Sequence, residues 1–204
     1  MSLVTLDANK LRAVTEGVAV DARFPGRWSP RAMSGAAVSQ AQLDSLLEAA
    51  RWAPSCFNAQ PWRFAVVQRD SDAWETLFAT LAPPNQAWVA KAGAIIAVAS
   101  RTRYEHNDKA APTHSFDAGA AWMSLALQAA ELGLVAHGMQ GFDQTAARAA
   151  LQLPDLYELP CLIALGQPGA IDELPDGFAE KEQPSPRKAL AEIAFTDSFA
   201  GVDV

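Results

Sequence analysis

The chain has 204 residues, of which 50% are hydrophobic and 19% are charged, and its formal net charge is −7. This length is enough to bury the core of one domain, and we expect a single domain over residues 1–204. The acidic balance excludes nucleic acids and anionic membrane surfaces as expected partners, because both are bound by basic faces.

The N-terminal segment and the cysteines predict a cytoplasmic protein. Residues 1–17 lack the basic start and the continuous apolar run of a signal peptide. No apolar stretch reaches the roughly 18 residues that a transmembrane helix needs. Cys56 and Cys161 lie far apart and follow no metal-ligand spacing. The sequence does not exclude a disulfide between them, but the expected compartment favours reduced thiols.

In chain order, the first half of the sequence predicts two helices and a strand. Residues 7–19 have a helical pattern, whereas residues 21–37 contain two prolines and two glycines and are expected to be irregular. Ser39 and Gln42 have the spacing of a capping box, and apolar residues then recur at helical spacing to Ala50. Pro54 should end this helix near Ala53, and residues 62–68 predict a strand.

The second half predicts two buried strands, at residues 94–100 and 161–165, and two helices. The longer helix covers residues 116–132 and ends at Gly133. It is apolar on nearly every side, as expected of a helix that packs in a large core or against a partner subunit. Asp143 is expected to cap a shorter helix that runs to Leu151. The tail from Gly166 contains four prolines and predicts no regular element before Pro186. Alternating helices and strands predict a mixed α and β class.

The first candidate site is the loop Arg27-Trp28-Ser29-Pro30-Arg31, where two arginines flank a serine. Guanidinium groups pair with phosphate through two parallel hydrogen bonds, and a serine hydroxyl can bind a remaining oxygen. The pattern is also compatible with a solvated basic loop.

The most specific string is RWAPSCFNAQPWRFAVV, residues 51–67. An amphipathic helix ends here, a polar turn follows, and Pro61 opens a strand. Such a turn exposes backbone groups, two side-chain amides and a hydroxyl, which suits a flat ligand with polar edges. The alternative is an ordinary helix end that precedes a proline-initiated strand.

Together these two strings resemble the signature of the nitroreductase family, whose members bind FMN. Members typically carry Arg-x-Ser-x-Arg or Lys, then a helix, then a Pro-Ser…Asn-x-Gln-Pro-Trp turn, and both strings occur here in that order. The resemblance extends from about Arg27 to Leu190. It implies an α+β, nitroreductase-like fold in which a mixed, mostly antiparallel sheet is flanked by helices. It also implies a homodimer, formed through long helices, with two FMN sites at the subunit interface.

The resemblance implies roles for the residues that match these strings. Arg27 and Ser29, with Trp28 between them, would hold the FMN phosphate and ribityl chain. Arg31 would lie near the N1 and O2 edge of the flavin, where a cation stabilises the negative charge of the reduced form. The turn would reach a flavin bound mainly by the other subunit, through Pro54, Ser55, Cys56, Asn58 and Gln60.

Asn85 lies where the family often has an asparagine that hydrogen-bonds the pyrimidine end of the flavin. Many members have a lysine three residues later, and here that position is Trp88. After two prolines an asparagine is also a common turn residue.

Two looser strings would complete the implied flavin site. Met139, Gln140 and Gly141 would present backbone N–H groups to flavin N5 and O4, since glycines let the backbone approach a planar ligand. A glycine-rich connection between helices is the alternative. Arg187 matches a residue that contacts the FMN phosphate, but Ser185 stands where a second basic residue is common, and Lys181 or Lys188 can replace it. A solvated basic tail is the alternative here.

No metal site is predicted. The histidines at positions 106, 114 and 137 form no ligand cluster with cysteines or carboxylates. The sequence also lacks the G-x-G-x-x-G, G-x-S-x-G and Walker motifs.

The implied function is that of an FMN-dependent oxidoreductase. Hydride would pass from NAD(P)H through flavin N5 to a nitroaromatic, quinone or activated-alkene acceptor by a ping-pong mechanism, and no catalytic side chain is required. One alternative is a dimeric FMN-binding storage or sensor protein without turnover, which the departures at Trp88 and Ser185 keep open. A soluble α+β interaction domain without a cofactor is a third reading. The acceptor and the choice between NADH and NADPH are left open.

Overall fold

A computed structural model describes residues 14–200, which form a four-stranded sheet with helices on both faces. The strands are β1 (Trp62–Gln68), β2 (Ala94–Arg101), β3 (Val135–Met139) and β4 (Tyr157–Gly166). They lie in the order β1-β2-β4-β3, and every pairing among them is antiparallel. The predicted α+β class is confirmed. The resemblance implied a mixed, mostly antiparallel sheet, and among the described strands every pair is antiparallel.

Six α-helices surround the sheet in the described part of the chain. They are α1 (Arg23–Gly26), α2 (Gln40–Arg51), α3 (Trp74–Phe78), α4 (Pro83–Val89), α5 (His114–Glu131) and α6 (Gln144–Ala150). Short 3₁₀ turns occur at Cys56–Asn58, Ile171–Glu173, Ala179–Lys181 and Leu190–Glu192. Among residues 14–200, no helix combines the length and apolar character needed to span a membrane.

The helix boundaries follow from local signals in the sequence. The predicted capping box is confirmed: Ser39 Oγ accepts from the Gln42 backbone N–H at 3.3 Å, and Gln42 Oε1 accepts from the Ser39 N–H at 3.0 Å. Asp143 caps α6 by accepting from the Ala146 N–H. Gly133 follows α5 with φ +69°, a left-handed conformation that glycine adopts without steric cost.

The sheet has a buried core on each face because side chains of a strand alternate between its two faces. In β2, Ile95 and Ala97 belong to one hydrophobic cluster, whereas Ile96 and Val98 belong to the other. The first cluster includes side chains of α3, α4 and α6, and the second includes α2 and α5. The central strands β2 and β4 are therefore apolar on both faces.

The structure corrects several sequence predictions. Residues 14–19 of the predicted helix form a turn, in which the Val18 N–H donates to Thr15 O and Gly17 has φ +78°, while residues 7–13 lie outside the described residues. Residues 137–142 were expected to form a loop, with a glycine-rich connection between helices as the alternative, but residues 137–139 belong to strand β3. Asn85, for which an ordinary turn was the alternative to a flavin contact, lies inside helix α4, which Pro83 begins. Strand β3 and helix α4 are too short to show a clear periodicity.

Candidate functional site

The arginine loop, residues 27–31, follows the single turn of α1 and packs against the body of the domain. Trp28 and Pro30 are buried, whereas Arg27, Ser29 and Arg31 are half-buried. Arg27 Nη1 donates to Ser29 Oγ at 3.3 Å. The buried residues thus anchor the loop while the three polar side chains remain accessible.

The carboxylate of Glu182 attaches the C-terminal tail to this loop. Its Oε1 atom accepts from the backbone N–H groups of Arg31 at 2.5 Å and Ala32 at 2.8 Å. Its Oε2 atom lies 3.8 Å from Arg31 Nη1, and the carboxylate is fully buried. Because buried carboxylates are costly unless they are paired, this contact fixes the position of the neighbouring tail residues.

The loop and the tail enclose a polar cleft of about 300 Å³. None of the described residues that line it is acidic, and four of them are cations. The lining comprises Arg27, Trp28, Ser29, Arg31, His137, Lys181, Gln183, Ser185 and Arg187. Burial lowers the pKa of Arg27, and the nearby Arg187 guanidinium lowers it further. Such a concentration of like charges creates a positive potential that favours an anion.

The cleft brings together five of the residues predicted from the sequence, which are up to 160 positions apart in the chain: Arg27, Trp28, Ser29, Arg31 and Arg187. Ser185, noted as a departure from the family pattern, contributes a hydroxyl group, and Lys181, named as a possible substitute cation, is present.

His137 and Gln183 were not predicted as site residues. His137 comes from β3, where its Nδ1 atom lies 2.9 Å from Pro30 O. Since a carbonyl only accepts, Nδ1 carries the proton and donates. The imidazole ring also packs against Trp88, with 4.7 Å between ring centroids. Had residues 135–139 been predicted as a strand, the alternation of side chains would have placed His137 on the same face as Val135 and Met139.

A second group of predicted residues meets at the end of β3. Asn85 Nδ2 donates to Gly141 O at 2.9 Å, and the Ala82 N–H donates to the same oxygen at 3.0 Å. A Cβ atom on Gly141 would lie 2.7 Å from Asn85 Nδ2, so a larger residue here would displace the Asn85 side chain. Met139 is buried in the core and offers only its backbone to a ligand, whereas Gln140 is exposed.

The turn between α2 and β1 has an unusual backbone. Phe57, Asn58 and Gln60 have φ values of +53°, +53° and +47°, in the left-handed region that non-glycine residues seldom occupy. Each such residue costs of order 1 kcal/mol or more, and strain of this kind concentrates at functional sites. The turn is therefore a structural outlier in its own right, independent of any resemblance.

Buried side chains hold this turn in place. Asp117 of α5, which is only 4% exposed, accepts from the Cys56 backbone N–H at 3.2 Å and from the Thr113 hydroxyl at 3.3 Å. Ser55 Oγ accepts from the Gln60 N–H at 3.0 Å. The Tyr104 hydroxyl lies 3.4 Å from Cys56 Sγ. Pro54, Asn58 and Gln60 are exposed, and Ser55 and Cys56 are half-buried.

The turn and the polar cleft lie at opposite edges of the sheet. The turn leads into Trp62 of β1, which is level with Ser100 of β2 and Glu158 of β4. His137 of β3 is level with Ala164 of β4. Three strand spacings across the sheet and six residues along it separate Trp62 from His137 by roughly 24 Å. One subunit therefore does not bring the turn into the cleft.

Comparison with known proteins gives this site a family context. The sequence model described as the Nitroreductase family matches residues 25–83 and 72–167. A solved structure described as an oxidoreductase containing FMN is 41% identical, covers 92% of this chain and 96% of its own, and superposes with a TM-score of 0.86. A putative nitroreductase in complex with FMN from Desulfovibrio desulfuricans is 28% identical, with coverages of 87% and 95% and a TM-score of 0.70.

A curated relative matches a shorter region. The putative NAD(P)H nitroreductase YdgI of Bacillus subtilis is 44% identical over 61 residues, which is 30% of this chain and 28% of that protein. The family match, in contrast, spans most of the sheet and the helices around it. The chain therefore belongs to the nitroreductase family.

Proposed function

We propose that this protein is a homodimeric, FMN-dependent oxidoreductase whose polar cleft binds the FMN phosphate. The observation that carries the proposal is the cleft itself, with four cations, two serine hydroxyls and no acidic lining residue among those described. The FMN in the two solved relatives supports the choice of ligand.

The donors that line the cleft fit a phosphate monoester. Such a group has three oxygens and a charge near −2 at neutral pH, and guanidinium groups match it well. Arg27 and Arg187 would supply charge and paired donors, and Ser29 would supply a hydroxyl. Trp28 Nε1 is buried and makes no hydrogen bond to any described residue, so it is a further donor beside the cleft.

The remaining residues on this side of the sheet would position the flavin ring. When bound, FMN supplies hydride transfer through N5 between NAD(P)H and an acceptor such as a nitroaromatic, a quinone or an activated alkene. Asn85 holds Gly141 O, and so orders the backbone of residues 139–141 that we assign to the N5 and O4 edge. Arg31 would provide positive charge at the N1 and O2 edge. We assign no catalytic acid or base.

The turn from Pro54 to Gln60 would complete the flavin site of a second copy of the chain. It is exposed, strained and far from the cleft of its own subunit. Three large apolar side chains are exposed here: Trp52 next to the turn (74% exposed), Phe57 within it (83%) and Phe116 on α5 (81%). Exposed apolar surface of this extent is typical of an interface between subunits.

The first experiment is an absorbance spectrum of the purified protein, recorded before and after anaerobic addition of NADPH and then NADH. We expect flavin bands that bleach with at least one donor. Protein that remains colourless after incubation with FMN contradicts the proposal. Size-exclusion chromatography with light scattering tests the dimer separately, and a monomer that retains FMN would refute the assignment of the turn.

The variant Arg27→Ala tests the phosphate assignment. We expect FMN affinity to fall by about 10- to 100-fold, because a hydrogen bond to a charged group contributes roughly 1.5–3 kcal/mol. Arg23→Ala is the matched control, since Arg23 is exposed and paired with Asp21 at 3.0 Å. Equal affinities in the two variants would exclude Arg27 from the phosphate site.

A storage or sensor protein without turnover is the second candidate. The position at which a lysine is common in the family is Trp88, which is buried in the core and provides no charge. The charge of Arg31 is partly neutralised by Glu182 at 3.8 Å. Both features weaken the stabilisation of a reduced flavin, and bound flavin that neither NADPH nor NADH bleaches would favour this candidate.

A further inference from the structure

His137 lines the polar cleft from strand β3, whereas the cations of the cleft come from the arginine loop and the tail. Its Nδ1 atom donates to Pro30 O at 2.9 Å, and its ring packs against Trp88. Both contacts fix the orientation of the imidazole. Because Nδ1 is committed to the loop and His137 lines the cleft, Nε2 is the ring nitrogen left for a ligand.

The charged groups around His137 come from two of the segments packed against it. The arginine loop contributes Arg27 and Arg31, and the tail contributes Lys181 and Arg187, with Glu182 buried behind Arg31. Helix α4 contributes the uncharged ring of Trp88, and Ala164 of β4, which is level with His137, is also uncharged.

These surroundings favour the neutral imidazole when no anion is bound. Burial lowers the pKa of His137, and the positive charges of Arg31 and Arg27 lower it further, whereas the carbonyls of Pro30 and Ser29 act in the opposite direction. An anion in the cleft would oppose the effect of the arginines on His137 and favour its protonated form.

We propose that His137 is a phosphate-binding residue whose Nε2 atom takes up one proton when a phosphate monoester enters the cleft. The proposal rests on the proposed function, since it takes the phosphate of FMN as the ligand. Neutral Nε2 and a phosphate dianion are both acceptors, so they cannot hydrogen-bond to each other without a proton. The proton comes from solvent and is shared between Nε2 and a phosphate oxygen, and no covalent bond forms or breaks.

Proton uptake makes FMN affinity depend on pH. The second pKa of a phosphate monoester is about 6, and that of free histidine is about 6.5. Above these values both partners are deprotonated before binding, so the dissociation constant should rise by up to about tenfold per pH unit. Riboflavin has no phosphate, and its affinity should change little over the same range.

The test measures dissociation constants of the apoprotein for FMN and for riboflavin by flavin fluorescence at pH 6.5, 7.5 and 8.5. His137→Asn retains an amide that can donate to Pro30 O and removes Nε2. We expect it to weaken FMN binding by about tenfold at pH 6.5, to have little effect at pH 8.5, and to leave riboflavin unchanged. His106→Asn is the matched control, because His106 is exposed and does not line the cleft.

Calorimetry of the wild-type protein provides a readout that needs no variant. FMN titrations at pH 7.5 in buffers of different ionisation enthalpy report the number of protons taken up. We expect roughly half a proton, because an effect of about tenfold at pH 6.5 that disappears by pH 8.5 corresponds to half-protonation of His137 in the complex at pH 7.5. FMN binding without proton uptake, or parallel pH profiles for wild type and His137→Asn, would overturn the role of His137 and leave the proposed function intact. Absence of binding by both flavins would overturn the two proposals together.

Discussion

Replacement of Glu182 by alanine should detach the tail from the arginine loop. Glu182 is the buried carboxylate that accepts from the Arg31 and Ala32 backbone N–H groups. Alanine leaves both N–H groups without their acceptor. The same change removes the ion-pair partner of Arg31 at 3.8 Å and frees the segment that carries Lys181 and Arg187.

The magnitude follows from the two hydrogen bonds. Each bond to a charged acceptor contributes about 1.5–3 kcal/mol, so the upper estimate for both is about 3–6 kcal/mol. Arg31 is half-buried and water can reach its N–H group, whereas Ala32 is only 2% exposed. We therefore expect the free energy of unfolding to fall by about 3–4 kcal/mol. Glu182→Gln keeps an acceptor oxygen and should lose only about 1–2 kcal/mol.

Urea unfolding of the apoprotein, followed by tryptophan fluorescence at one protein concentration, measures these differences. With an m-value of about 3 kcal/mol/M, the midpoint of Glu182→Ala should fall by about 1 M. The concentration must be fixed and FMN absent, because dimerisation and ligand binding both stabilise the folded state. Glu180→Gln is the matched control: Glu180 is an exposed neighbour, and its loss should stay within about 0.5 kcal/mol.

Two results would refute this reasoning. A midpoint for Glu182→Ala within about 0.2 M of wild type would mean that the hydrogen bonds to Arg31 and Ala32 contribute little to stability. Equal losses in the alanine and glutamine variants would mean that the charge of Glu182, and not its acceptor oxygen, holds the tail.

Three further predictions concern separate parts of the molecule. Asp117→Ala removes the acceptor of the Cys56 N–H, so the free energy of unfolding should fall by about 1–3 kcal/mol. Proteolysis of the strained turn should become faster, and an unchanged cleavage rate would contradict this prediction. Gly169→Ala places a Cβ atom 2.4 Å from the backbone of Met33, and the free energy of unfolding measured by thermal denaturation should fall by about 1–3 kcal/mol. In the control Gly26→Ala, the new Cβ atom meets no atom within 4 Å, so the stability should not change. Because the pKa of His137 is lowered in the folded state, the unfolded chain binds a proton at this residue first as the pH falls below about 6.5. The stability of the apoprotein should therefore decline between pH 7.5 and 5.5 more in wild type than in His137→Asn, and urea midpoints at the two pH values measure the difference.

Local signals in the sequence identified strands β1, β2 and β4 and helices α2, α5 and α6, but not the order of the strands. The capping box at Ser39, the Asp143 cap and Gly133 set the ends of three helices through interactions that span at most five residues. The apolar runs of β2 and β4 also identify themselves, because a central strand covered on both faces has no polar side. Strand β3 was missed since five residues that include His137 and Gly138 show neither a continuous apolar run nor clear alternation.

The candidate site divides in the same way. By itself, the sequence identified the Arg27–Arg31 loop as a candidate phosphate-binding string, because these residues are contiguous in the chain. Only the tertiary structure decided that Glu182, 151 positions from Arg31, brings Lys181 and Arg187 to that loop, and that β3 adds His137. The physical reason is that this cleft is assembled by one buried carboxylate and one strand pairing, both of which join segments that have no local relation in the chain.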